Sequence, residues 1–133
     1  MKKGYTDHIE TLTKENTDFR RVLYTGAHIQ LVLMALRPGE EIGLEVHEDT
    51  DQFFRFEAGE GVVHIDGVDH IVKDGDTTIV PEGASHNIIN TSTTDYLKLY
   101  TIYTPPHHKD GTVHATRIDA ESHEEHFDGV TTE

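Results

Sequence analysis

Hydrophobic residues in this chain come in short runs rich in β-branched and aromatic types, and polar turn formers separate them. The runs 28–36, 42–47, 52–56, 61–65, 68–72, 77–80, 86–90 and 96–103 each read as a strand. Between them lie Arg37-Pro38-Gly39, Ala58-Gly59-Glu60-Gly61, Asp66-Gly67, Lys73-Asp74-Gly75-Asp76, Pro81-Glu82-Gly83 and Asn90-Thr91-Ser92. Asp66-Gly67 between Ile65 and Val68 predicts a tight type I′ hairpin, whose two central residues both need positive φ. Strands recurring roughly every ten residues with no helical segment between them predict an all-β sandwich or closed barrel. The period of two gives the faces: Gln52, Phe54 and Phe56 share one parity and wall a cavity, while Phe53 and Arg55 point the other way.

The ends break this pattern. Residues 1–18 are polar, with a short helix or strand expected from Asp7 to Leu12. Pro105-Pro106 should end the last strand, because proline cannot donate to a ladder. Beyond it, 119–127 reads as a short acidic helix with Asp119 as its N-cap. The expected organisation is one domain over 1–133, with a barrel core at about 19–104 and a tail at 105–133.

Charge and composition narrow the function. The chain carries 25 acidic and 11 basic residues, a formal charge of -14, which repels phosphate backbones and anionic membranes, so neither nucleic acid nor a membrane is an expected partner. No cysteine is present, so any metal must be held by nitrogen and oxygen. Met1-Lys2-Lys3 has no apolar stretch behind it and the run from Leu31 to Leu36 is far short of the roughly 18 residues of a membrane span, which together predict a cytoplasmic protein.

Glu45 and His47 lie two apart in a predicted strand, a spacing that puts both side chains on one face within reach of a common ion, or equally lines a wet strand face. A hairpin return could bring the Gln52 amide oxygen beside them, and His86 opens another strand after Pro81-Glu82-Gly83. No G-x-S-x-G, G-x4-G-K-[ST], G-x-G-x-x-G or H-E-x-x-H motif occurs.

At these residues the sequence resembles the cupin superfamily, whose first motif has the form G-x5-H-x-H-x(3,4)-E-x6-G and whose second has the form G-x5-P-x-G-x2-H-x3-N. Gly39, Glu45, His47, Gln52 and Gly59 fall on the first spacing; Gly75, Pro81, Gly83, His86 and Asn90 fall on the second. The resemblance covers roughly residues 28–103 and implies a double-stranded β-helix, or jelly-roll barrel, flanked by the short polar N-terminal segment and the C-terminal tail. It also implies one divalent transition metal ion held by Glu45, His47, Gln52 and His86. Glu45 stands in place of histidine and Gln52 in place of glutamate, and both keep an oxygen donor. Asp51 is the rival to Gln52, although only Gln52 keeps the following gap to Gly59. Such a donor set suits Zn, Mn, Fe or Ni, and affinity order alone does not choose among them.

A small-molecule ligand inside the barrel is the implied partner. The reading developed furthest is a sugar or sugar-derivative isomerase resembling the mannose-6-phosphate isomerases, with Glu45, His64 or Tyr100 as the candidate base. Against a sugar phosphate, the cations read into the core are only Arg37, Arg55, Lys73 and Lys98. A metal-dependent oxygenase and a non-catalytic binding or sensing cupin are the alternatives. Asn90 is read as closing a turn. His107, His108, His114, His123 and His126 read as a solvated polar tail, with a second metal site or a lid as the other possibility. The outward Phe53 suggests a covered face, and cupins pair through such sheets, so a homodimer is expected.

Overall fold

The computed structural model describes residues 1–133. In chain order the elements are α1 (Ile9–Glu15), β1 (Arg20–Thr25), β2 (Gln30–Leu36), β3 (Glu45–Val46), β4 (Asp51–Ala58), β5 (Glu60–Ile65), β6 (Val68–Lys73), β7 (Thr77–Val80), β8 (Ser85–Asn90), β9 (Leu97–Thr104), β10 (Val113–His114) and α2 (Arg117–Ser122). They form a six-stranded sheet in the order β10-β1-β2-β9-β4-β7 and a four-stranded sheet in the order β3-β8-β5-β6. All pairings are antiparallel, and the two sheets face each other as a double-stranded β-helix. No helix is long and apolar enough to cross a membrane.

Local chemistry explains where the chain bends. Asp66 and Gly67 take φ of 44° and 81°, as the hairpin between β5 and β6 requires. At Gly59 the chain leaves one sheet for the other; a Cβ there would run into the Tyr96 carbonyl, which is why a glycine stands at this position. Asn90 closes the turn after β8, its amide donating to the carbonyls of Leu36, Arg37 and Asp95 while its oxygen accepts from Ser92 N–H.

The interior is layered by register. Gln30, Tyr103 and Gln52 align as one polar row across β2, β9 and β4; below it lie Val32, Thr101 and Phe54, then Met34, Leu99 and Phe56. Leu36, Leu97, Val63 and Ile88 complete an apolar floor with no solvent exposure. On the outside of the six-stranded sheet α1 packs against β2, β4 and β9, and the outward Leu33 and Ala35 are buried. The row Ile79, Phe53, Ile102 and Leu31 on the same face stays at least partly exposed.

Several expectations change. The strand expected at 42–47 is only Glu45–Val46, because Gly43 N–H is taken by the Asn87 side chain (2.8 Å) instead of a ladder partner. Two strands lie outside the expected set, β1 and β10, and they pair with each other. The N-terminal element is a helix, Ile9–Glu15. Helix α2 starts earlier than expected and is capped by Thr116, whose hydroxyl accepts from Asp119 N–H (3.1 Å) while the Asp119 carboxylate accepts from Thr116 N–H (3.3 Å). Asp119 is thus the return partner of a capping box rather than the cap.

The tail is not a solvated extension. His108 and His114 are buried, and the buried amide of Gln30 on β2 pins the segment in place. Its oxygen accepts from His107 N–H (3.1 Å) and His108 N–H (3.0 Å), and its nitrogen donates to the His108 carbonyl (2.7 Å). The tail therefore lies across the polar end of the barrel, while His123 and His126 remain exposed.

Candidate metal centre

Glu45 on β3 and His86 on β8 face each other across one ladder position, and His47 follows two residues later on the same side. Their donor atoms all lie within 4.8 Å of one another. Ligands at the usual metal distances of about 2.0–2.2 Å stand roughly 3–4.4 Å apart around an ion, so the three groups fit a single centre. Glu45 Oε2 and His47 Nε2 are 3.2 Å apart, yet His47 Nε2 is buried without a well-aligned hydrogen bond. The contact is close but not directional, as expected of two donors aimed at a common point.

His86 is oriented from behind. Its Nδ1 lies 3.3 Å from the Ala84 carbonyl, which can only accept, so Nδ1 carries the proton and Nε2 keeps its lone pair. Burial pushes the His86 imidazole below its ordinary value, and the neighbouring His47 adds to this. Burial alone would raise the Glu45 carboxyl, but its contacts with His47, and the charges of Arg20 and His86, bring it below the usual carboxylate range. At neutral pH the cluster therefore offers one carboxylate and a lone-pair-bearing His86.

Gln52 sits on the interior row next to Tyr103, 3% exposed; its Nε2 donates to Thr101 Oγ1 (3.0 Å) while its Oε1 is buried without a partner. An orphaned carbonyl-type oxygen in a polar pocket is costly unless something accepts its lone pairs. Asp51 is no rival. It faces outward and its carboxylate accepts from Glu82 N–H at 2.8 Å, because neighbouring strand residues point to opposite faces.

Two proposed bases are displaced for the same reason. His64 pairs across the ladder with Asp69 and Asn87 on the outer face, its Nδ1 2.6 Å from the Asp69 carboxylate. Tyr100 also faces outward, its ring 6.2 Å from Phe53. The groups that do surround the cluster come from the tail and from β9. The His107 ring lies 4.3 Å from His47 and stacks on Tyr103 at 5.5 Å, and His108 Nε2 is 3.1 Å from the Tyr103 hydroxyl. Burial, followed by the charge of His47, pushes His107 down to about 4; burial also takes His108 well below its ordinary value and raises Tyr103 to about 12. All three are neutral at pH 7 and can exchange hydrogen bonds without adding charge.

Beside the cluster, under the tail, is a cavity of about 120 Å³ whose wall includes Arg20, Glu45, His107, His108, His114 and Arg117. Arg20 was missing from the cations read into the core because the strand that carries it, Arg-Arg-Val-Leu-Tyr-Thr, opens on two charges that hide its alternation.

Residues 32–103 match the family described as Cupin domain. The chain is 48% identical over 124 residues to the uncharacterized protein YrkC of Bacillus subtilis, covering 89% of this chain and 66% of that protein. It is 42% identical over 93 residues to the oxalate-binding protein of Thermotoga maritima, covering 70% of this chain and 71% of that one. The crystal structure of BH2720 from Bacillus halodurans matches with a TM-score of 0.89 at 42% identity, over 91% of this chain and 96% of that chain. A family match over more than half of the sequence, on the barrel that carries the cluster, establishes that the chain belongs to the cupin family.

Proposed function

We propose that this cupin holds one divalent transition metal ion, Zn, Mn, Fe or Ni, through Glu45, His47 and His86 with the Gln52 amide oxygen as fourth donor, and acts on a small oxygen-rich metabolite bound beside it. The observation that carries this reading is the convergence of three donors within 4.8 Å at the polar end of a closed barrel; the unpartnered Oε1 of Gln52, on the interior row of Tyr103, supports it as the fourth donor. Such an ion, when bound, supplies Lewis-acid polarisation of a ligand oxygen. The chain's own residues orient the ligand, and the neutral His107 and His108 hold or pass a proton at their ring nitrogens. The cavity is well below the roughly 300 Å³ at which drug-sized pockets begin, which favours an occupant of few heavy atoms.

Sugar isomerisation, the chemistry first expected, needs a base at the carbon being deprotonated. With His64 and Tyr100 facing outward and Glu45 taken up as a ligand in this reading, His107 is the remaining candidate. The likeness to a protein named for oxalate binding supports a small ligand that can present two oxygens to one ion, and capture without turnover is the competing form of the same proposal. A cytoplasmic location and a homodimer formed through the partly exposed Ile79–Phe53–Ile102–Leu31 row belong to the proposal as well.

Elemental analysis of protein purified without chelator or added metal tests the centre. About one ion per chain is expected, lost in His47→Ala and His86→Ala proteins that still fold. A wild-type preparation that contains no stoichiometric metal and takes up none on titration refutes the proposal.

A further inference from the structure

The first strand carries a buried cation that forms no ion pair within the protein, its nearest polar contacts being the Tyr103 hydroxyl and, farther off, the Glu45 carboxylate. Arg20 is 7% exposed and stands in register with His114 and Met34. Its neighbour Arg21 is exposed and paired with Asp18 at 3.4 Å. The other arginine on the cavity wall, Arg117, is paired with Glu121 at 2.9 Å. Arg20 has no such partner, although the chain has 25 carboxylates to choose from. Glu45 is near enough for the guanidinium to lower its carboxyl, but its own contact is with His47. Burying an ion without its counter-ion is strongly unfavourable, so the missing partner is expected to arrive from outside.

The surroundings say where it would sit. Arg20 faces the cavity between the tail and the metal centre, together with the buried His108 and His114. Glu124 and Glu125 also border this cavity, but they are exposed on α2's trailing segment, where water and salt screen them. The guanidinium fork offers parallel N–H donors that match a carboxylate.

We infer that this cavity is an anion subsite in which Arg20 is the counter-ion of a ligand carboxylate, so that the ligand is a short dicarboxylate with one end on Arg20 and the other toward Glu45, His47 and His86. The second contact rests on the metal reading above; the first does not. A divalent ion with one carboxylate and neutral imidazoles keeps one positive charge and Arg20 adds another, so a dianion balances the site. A sugar phosphate shares the charge but exceeds the space.

Calorimetric titration of oxalate, malonate, glycolate and inorganic phosphate into the Mn(II)-loaded and metal-free full chain tests this, with wild type, Arg20→Lys and Arg20→Gln compared. One of the dicarboxylates should bind Mn(II)-loaded wild type at least about tenfold more tightly than glycolate or phosphate does. Arg20→Gln should weaken that binding by about tenfold or more, the scale of a lost charge-assisted contact, with Mn(II) affinity changed less than about threefold. Arg20→Lys should fall between. Without ligand, Arg20→Gln should melt no lower than wild type, since a buried unpaired charge is removed; a purely structural arginine would give a lower melting temperature. If Arg20→Gln does not fold, Arg20→Lys decides by the same comparison. Unchanged dicarboxylate affinity in the variants, preference for phosphate, or Mn(II) binding with no anion binding each overturns the inference. Failure to bind Mn(II) overturns the metal reading alone, and the metal-free titrations then judge Arg20.

Discussion

Replacing Gln30 by leucine removes the amide that fastens the tail to β2 while keeping a side chain of similar bulk. Two N–H groups, of His107 and His108, and the His108 carbonyl lose their partners, and Thr25 loses the Gln30 amide at its hydroxyl. At about 1 kcal/mol for each of the four hydrogen bonds the cost is about 4 kcal/mol. For a chain of this size that is on the order of 10 °C in Tm. The cost is capped by the alternative of releasing the tail into water, so the loss should be local. Hydrogen exchange should speed up at His107, His108 and Phe127, whose N–H bonds the His107 carbonyl at 3.0 Å, while the core amides of Val32 and Leu99 stay protected. Thermal melting and amide exchange on the same variant provide the check. Equal exchange rates in the tail, or a Tm within a degree of wild type, would show that the amide does not hold the segment.

Acidification offers a second prediction. The desolvated His86, His107 and His108 all have depressed values in the folded state, so between those values and the ordinary 6.5 the unfolded chain binds more protons. Their contribution is present above about pH 6.5 and is lost as pH falls through that point toward about 4. The urea midpoint of metal-free protein should be lower at pH 5.5 than at pH 7.5, and an equal or higher midpoint contradicts the argument. Asn90→Ala removes a buried amide and strips three carbonyls of their donor, and should cost about 2–4 kcal/mol by chemical denaturation; a loss below about 1 kcal/mol refutes the role given to it. For the proposed dimer, light scattering should give about twice 15.0 kDa for wild type and the single-chain mass for Phe53→Glu, and a monomeric wild type removes that proposal.

The parts of the fold carried by period and turn chemistry were legible in the residues themselves. Phe54 and Phe56 are inside and Phe53 is outside because successive strand residues alternate, and Asp66-Gly67 names its own hairpin. Glu45 and His47 meet His86 because their spacing survives even though the strand beneath them is two residues long. What escaped notice depends on contacts distant along the chain. His107 and His108 look like polar tail residues until Gln30, 78 positions from His108, supplies their hydrogen bonds. Arg20 looks like a surface charge because it stands beside the exposed Arg21 in a strand that opens on two charges. His64 and Tyr100 failed as bases on parity alone, since Val63 and Leu99 beside them are the inward residues, a test the alternation already allowed.

The row of Gln30, Tyr103 and Gln52 is one residue deep over Val32, Thr101 and Phe54. Gln30 spends its amide on the histidine-bearing strap and on Thr25, and Gln52 gives its N–H to Thr101, so the row seals the apolar layers from the polar end. Polar pairing thus gives way to hydrocarbon within two residues of chain, and a polar substitution at Val32 or Phe54 would create a buried group in need of a partner.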